Sequence, residues 1–155
     1  MIEPQHDAFM REALAQARRA LEVAEVPIGA VVVLGADIIG TGFNQPIRSA
    51  DPTAHAEIVA LRDAAQAMGN YRLTDTVLYV TVEPCLMCVG AAVHARVRTI
   101  VYGAAEPKAG ALVSTMRAHE HPALNHRIEV MGGVLEEDCR AVLQEFFRDR
   151  RSRSV

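Results

Sequence analysis

The sequence has too few cysteines for a disulfide framework. Three in 155 residues point to a reducing compartment, where thiols stay free for other chemistry. It also lacks any apolar run near the ~18 residues that a membrane span needs. The first residues, Met1-Ile2-Glu3-Pro4-Gln5-His6, show no basic flank followed by an apolar stretch, so no secretion signal is expected. These absences predict a cytoplasmic protein that does not associate with membranes. Nor is there an excess of positive charge: the net charge is −3, which by itself argues against a nucleic-acid partner. No internal repeat, low-complexity segment or linker interrupts the chain, so residues 1–155 are expected to form one domain.

What is present is ordinary globular composition, half hydrophobic and 23% charged. A chain of this length buries roughly 70% of its unfolded surface. The charge is uneven, however. Residues 146–155 carry a local +3, leaving −6 on residues 1–145. A basic tip on an acidic body can contact phosphates. On composition alone the simpler reading is a solvated helix end, with Arg favoured by the helix dipole.

Hydrophobic periodicity predicts the elements in order. Met10, Leu14, Ala17 and Leu21 mark a helix over about 6–25, ended by Pro27. The apolar, β-branched run 28–34 is a buried strand, and 38–43 returns after a turn at Gly35-Ala36-Asp37 as its hairpin partner. A loop over 44–52 leads to a helix at about 54–68, closed by Gly69-Asn70. A third strand spans 76–82. A short helix follows Pro84 and runs to His94. A fourth strand covers 99–103, and a long connection, 104–127, holds at most one helical turn near 112–116. A short fifth strand, 128–131, precedes a last helix from 135 to about 150. The alternation implies a three-layer α/β/α sandwich around a mixed five-stranded sheet. The long 104–127 crossover favours parallel fourth and fifth strands.

Two stretches carry chemistry. Cys85 and Cys88, in Pro84-Cys85-Leu86-Met87-Cys88, stand three apart at a helix start, where unpaired N–H groups and the dipole favour thiolates. His55-Ala56-Glu57 opens the preceding helix. One His and two Cys on zinc would leave a fourth position for water, the catalytic arrangement. Bound water of pKa near ~7 would supply a nucleophile, and Glu57 is the candidate general base. Residues two apart on a regular helix face different ways, so this scheme requires His55 in the cap. Alternatives remain. Cys-x-x-Cys also suits a redox dithiol. A structural zinc site could be completed by Cys139, His94, His119, His121 or His126.

His-x-Glu followed 27 residues later by Pro-Cys-x-x-Cys is the signature of the zinc nucleobase deaminases. With Glu25-Val26-Pro27-Ile28-Gly29, Asp51-Pro52-Thr53-Ala54-His55-Ala56-Glu57, Asn70-Tyr71-Arg72-Leu73, Asn125-His126-Arg127 and Phe146-Phe147-Arg148, the chain resembles the bacterial tRNA-specific adenosine deaminases of the cytidine-deaminase superfamily. The resemblance implies a cytidine-deaminase-like fold, one zinc per subunit on His55, Cys85 and Cys88, and a homodimer. The implied reaction is hydrolytic conversion of the wobble adenosine of a tRNA anticodon to inosine. Zinc-bound hydroxide attacks C6, and Glu57 shuttles the proton. Free-base or nucleoside deamination, of guanine or cytosine, is the alternative of the same class, and a structural zinc module that binds a partner is the non-enzymatic one. By resemblance, Asn44 contacts the flipped nucleoside, and backbone donors near Pro84 and Cys85 hold the attacking oxygen. Glu106 and Lys108 lie in an RNA-contacting loop. The family commonly has Asp where Glu106 stands and Ala where Pro107 stands. His121 and Asn125 flank the cleft, and Phe147, Arg148, Arg150 and Arg151 meet the anticodon stem. Cys139 and His94 are expected to pack or bond locally.

Overall fold

The computed structural model describes residues 4–153. Met1 to Glu3, part of the leader reading, and Ser154 and Val155, the end of the basic tail, lie outside it. The order is α1 (Pro4–Glu22), β1 (Gly29–Leu34), β2 (Asp37–Phe43), α2 (Ala56–Met68), β3 (Thr76–Val82), α3 (Leu86–His94), β4 (Thr99–Ala104), β5 (Glu129–Met131) and α4 (Glu136–Arg153). The strands lie in the order β2-β1-β3-β4-β5. β1 is antiparallel to both β2 and β3, whereas β3–β4 and β4–β5 are parallel. The mixed five-stranded sheet and the parallel fourth and fifth strands match the expectation.

β1 is apolar on both faces because both are covered. Ala30 and Val32 join Leu78, Val80 and Ile100 beneath α2 and α3. Val31 and Val33 join Tyr79 and Val101 beneath α1 and α4. α2 rides close to β2 because Gly40 and Gly42 offer no side chain. A Cβ on either would collide with the α2 backbone at Ala60 or Ala56. That proximity seats the end of α2 at which His55 stands.

The end of α1 and the helical turn in the 104–127 connection differ from the sequence expectation. α1 stops at Glu22, not near residue 25. Ala24 turns left-handed (φ 60°), and the Glu25 N–H returns to the Ala20 carbonyl at 3.0 Å, so the chain leaves the helix well before Pro27. α3 runs from Leu86 to His94, after Pro84 as expected. In the 104–127 connection the helical turn falls at Ala118–Glu120 rather than near 112–116. The N–H groups of Leu112, Val113 and Ser114 donate to the Glu83 carboxylate instead of to earlier carbonyls. No described helix is long and apolar enough to cross a membrane.

Candidate metal centre and substrate cleft

Two helix N-termini converge beyond the sheet. His55 is the N-cap of α2, with φ −70° and ψ 154°. Cys85 is the N-cap of α3, with φ −78° and ψ 174°. Neither side chain caps its own helix, so both are free to turn toward each other. The extended cap also resolves the two-residue spacing. His55 points from the cap, while Glu57 points inward from the first turn of α2 and is 4% exposed. Cys88 joins from the first turn of α3.

His55 Nδ1 lies 3.6 Å from the sulfurs of both Cys85 and Cys88. Zn–N bonds of about 2.0–2.1 Å and Zn–S bonds of about 2.3 Å at tetrahedral angles place nitrogen and sulfur about 3.6 Å apart. The donor set therefore fits one small, thiophilic cation. A nitrogen equidistant from both sulfurs is what a shared cation requires and a redox dithiol does not. Among the described residues the cluster is His55, Cys85 and Cys88 alone. Cys139, His94, His119, His121 and His126 do not join it, so no described protein group completes a closed four-ligand site. Cys139 is buried under β4, as expected. His94 is exposed and does not pack as expected.

The titration behaviour fits the same reading. The Cys88 thiol, with His55, donates to Cys85 and pulls its pKa down to about 4. Cys88 is raised by that same contact and by burial. His55 is raised by its hydrogen bond to Cys85. One thiol proton is thus retained in the pair, and a cation that takes both sulfurs must displace it. Burial pushes Glu57 up to about 7, so its carboxyl exchanges a proton near neutrality.

Two further glutamates shape the cleft. Glu83, 3% exposed, accepts hydrogen bonds from the N–H groups of Glu106, Leu112, Val113 and Ser114 and from the Ser114 hydroxyl. The loop folds around this carboxylate, and a Cβ on Gly110 would collide with it. Glu25, 1% exposed, accepts from Ile47 N–H at 3.3 Å and Arg48 N–H at 2.8 Å, tying down the loop after Asn44. Sequence reasoning assigned neither a role. Their signal was only a glutamate one or two residues before a proline, and their partners are 22 to 31 residues away.

The remaining sequence candidates scatter. Asn44 is buried at the end of β2, and its side-chain amide makes no hydrogen bond among the described residues. Pro84 has no N–H, and its carbonyl accepts from Ala111 at 2.8 Å. Any backbone donor in this stretch therefore comes from a neighbouring residue, since proline offers only its carbonyl. Glu106 turns its carboxylate back onto the Lys108 N–H, and Lys108 is exposed. His121 is exposed, and its Nδ1 accepts from Ala123 N–H. Asn125 gives its carbonyl to Arg96. On α4, Phe147 is exposed and packs edge-on against Phe146, and Arg148 and Arg151 are exposed. Arg150 lies over the Phe146 ring and lines a 740 Å³ groove with Ile47 of the loop after Asn44. The basic tip of α4 thus borders the loop that follows Asn44.

The sequence matches the MafB19-like deaminase family over residues 4–151, so this fold and site belong to the deaminase class. Among curated relatives, a tRNA-specific adenosine deaminase of Haemophilus influenzae is 47% identical over 94% of this chain and 84% of its own length. That of Bacillus subtilis is 42% identical, over 96% and 92%. A solved structure from a study of A-to-I editing by tRNA:A34 deaminases at the wobble position of transfer RNA superposes with a TM-score of 0.85. It is 44% identical, over 88% of this chain and 99% of that one. A guanine deaminase of Nitrosomonas europaea superposes at 0.76 with 25% identity, over 94% and 85%. Within the deaminase class, the chain belongs to the tRNA-specific adenosine deaminases.

Proposed function

We propose that the protein converts the wobble adenosine of a tRNA anticodon to inosine by hydrolytic deamination, with one zinc per subunit held by His55, Cys85 and Cys88. The observation that carries this is the three-donor cluster beside a buried, protonatable Glu57, with no fourth described ligand. Zinc bound there supplies the Lewis acidity that makes a water molecule nucleophilic near neutral pH. Glu57 accepts the first proton of the attacking water and delivers it to the ring nitrogen, then takes the proton of the new C6 hydroxyl and passes it to the leaving amine. Ammonia departs and the C6 carbonyl of inosine remains. In this reading Asn44, whose side-chain amide makes no hydrogen bond among the described residues, holds the flipped nucleoside, and the Cys85 N–H steadies the attacking oxygen. Extrusion of the base is cheap in a single-stranded anticodon loop.

Glu83 holds the loop bearing Glu106 and Lys108 against the metal-bearing stretch, and that loop, with His121, Asn125 and the basic tip of α4, serves RNA binding in this reading. One catalytic domain spanning residues 1–155, a homodimer and a cytoplasmic setting belong to the same proposal.

The test is incubation of the zinc-loaded protein with an anticodon stem-loop bearing a wobble adenosine. Inosine is the expected product, and its absence from folded, metal-loaded protein overturns the assignment. The likeness to a guanine deaminase makes guanine the informative competitor. Guanine turnover exceeding that of the stem-loop would favour a free-base enzyme.

A further inference from the structure

A basic pocket of about 390 Å³ opens at the end of the sheet opposite the metal centre. Arg72, Arg96, Arg98 and Arg127 line it, together with Asp75 and Glu129. Four guanidiniums face two carboxylates, in a chain whose net charge is −3. The seven residues of β3, at ~3.3 Å each, put roughly 23 Å between this pocket and the cysteine-bearing end.

Among the described residues none of the four guanidiniums lies within ion-pair distance of a carboxylate. The described arginine–carboxylate pairs involve Arg62, Arg117 and Arg140, none of them in the pocket. Three of the four pocket arginines spend one donor on a neutral acceptor. Arg96 reaches the Asn125 carbonyl at 3.3 Å, Arg127 the His121 carbonyl at 2.7 Å and Arg72 the Tyr71 hydroxyl at 3.2 Å. Each guanidinium has five N–H donors, so most remain available. Those bonds also fix where the forks sit. Two lining residues, Asp75 (φ 66°) and Arg96 (φ 63°), hold left-handed backbone that a side chain disfavours, strain of the kind that persists at functional sites. Tyr71, 66% exposed, lies beside Arg72 and offers an aromatic face to a base or ribose.

We infer that this pocket is a second RNA contact, which grips backbone phosphates of the tRNA outside the nucleotides that enter the catalytic cleft. The inference rests on the RNA-deaminase reading above. Planar guanidiniums match phosphate oxygens in pairs, and an acidic protein needs local basic pockets to hold a polyanion. A contact this far from the chemistry binds substrate and transition state equally, so it lowers KM and leaves kcat alone.

The experiment measures kcat and KM for a full-length tRNA with a wobble adenosine across a salt series. It compares the wild type with Arg98→Ala, with Arg72→Ala on a different loop, and with Arg11→Ala on the exposed face of α1 as a charge-matched control. Each pocket variant should raise KM about fivefold to tenfold and leave kcat within about twofold. Each should also flatten the slope of log kcat/KM against log salt by about one per lost phosphate contact. Arg11→Ala should match the wild type. Pocket variants that match the wild type, a loss shared equally by Arg11→Ala, or a fall in kcat at constant KM would each overturn the inference. So would dissociation of an oligomer by the pocket variants in sedimentation, which would make the pocket a subunit contact. A wild type that leaves the tRNA unchanged overturns the functional reading and this inference with it. An active wild type with indifferent variants overturns the inference alone.

Discussion

Glu57 and Glu83 are both buried, yet their surroundings drive them in opposite directions. Glu57 sits among sulfur atoms with few donors, and burial dominates, raising it to about 7. Burial would raise Glu83 too, but the bonds from Ser114, Val113 and Glu106 outweigh it and bring it to about 2. One carboxyl is thereby suited to moving protons, and the other is a fixed anion that organises a loop. Replacing Glu57 with Ala should therefore keep one metal per chain by elemental analysis while kcat on the stem-loop falls at least about 10²-fold. Retained turnover would remove Glu57 from its role. Glu83→Gln turns an amide NH₂ toward backbone N–H groups. Each buried donor left without an acceptor costs about 1–3 kcal/mol. Urea denaturation should show a loss of that order, and amide exchange should quicken at Leu112, Val113 and Ser114. Unchanged protection there would show that Glu83 does not hold the loop.

At the scale of elements, the site depends on how closely α2 and α3 approach the sheet, because their caps carry the ligands. Gly40 and Gly42 set that distance for α2. Gly40→Ala should force the helix outward, with an overpacking cost of about 1–3 kcal/mol. Metal affinity should weaken in parallel, because His55 moves with its helix. A chelator competition on the folded variant measures this, and an affinity equal to wild type would uncouple the helix seat from the site. Most elements were legible in the sequence because their periodicity is strong. The two departures have different causes, one local and one remote. α1 ends on its own left-handed Ala24, whereas the turn expected near 112–116 lost its N–H groups to Glu83, about 30 residues earlier. Local propensity cannot register a competitor that distant.

For the whole molecule, a metal held by His55, Cys85 and Cys88 would join α2 to α3 across the top of the sheet, and its binding would then be linked to folding. Removing it with a chelator should abolish turnover and lower the apparent Tm, and added zinc should restore both. A ligand present at 1,000 times its Kd stabilises the fold by about 4 kcal/mol. Scanning calorimetry with and without chelator reads this, and identical transitions would show that the cluster holds no metal of consequence. The same scale governs substrate choice. In the proposed reading the donor cluster accounts for deamination, whereas the loop after Asn44, the loop around Glu83 and the tip of α4 account for the choice of RNA.

The sequence by itself determined the ligand types and the helix starts that bear them. Cys-x-x-Cys and His-x-Glu act through neighbours within a turn, so spacing alone exposes them. It also determined the sheet, since an apolar run as short as 28–34 must be covered on both faces. Only the tertiary structure decided that the two stretches meet, with His55 Nδ1 3.6 Å from each sulfur. It alone revealed Glu83 and Glu25 as the anchors of the cleft loops and gathered four arginines from three separate segments into one pocket. Those decisions rest on contacts between residues far apart in the chain, and no periodicity or local spacing encodes such contacts.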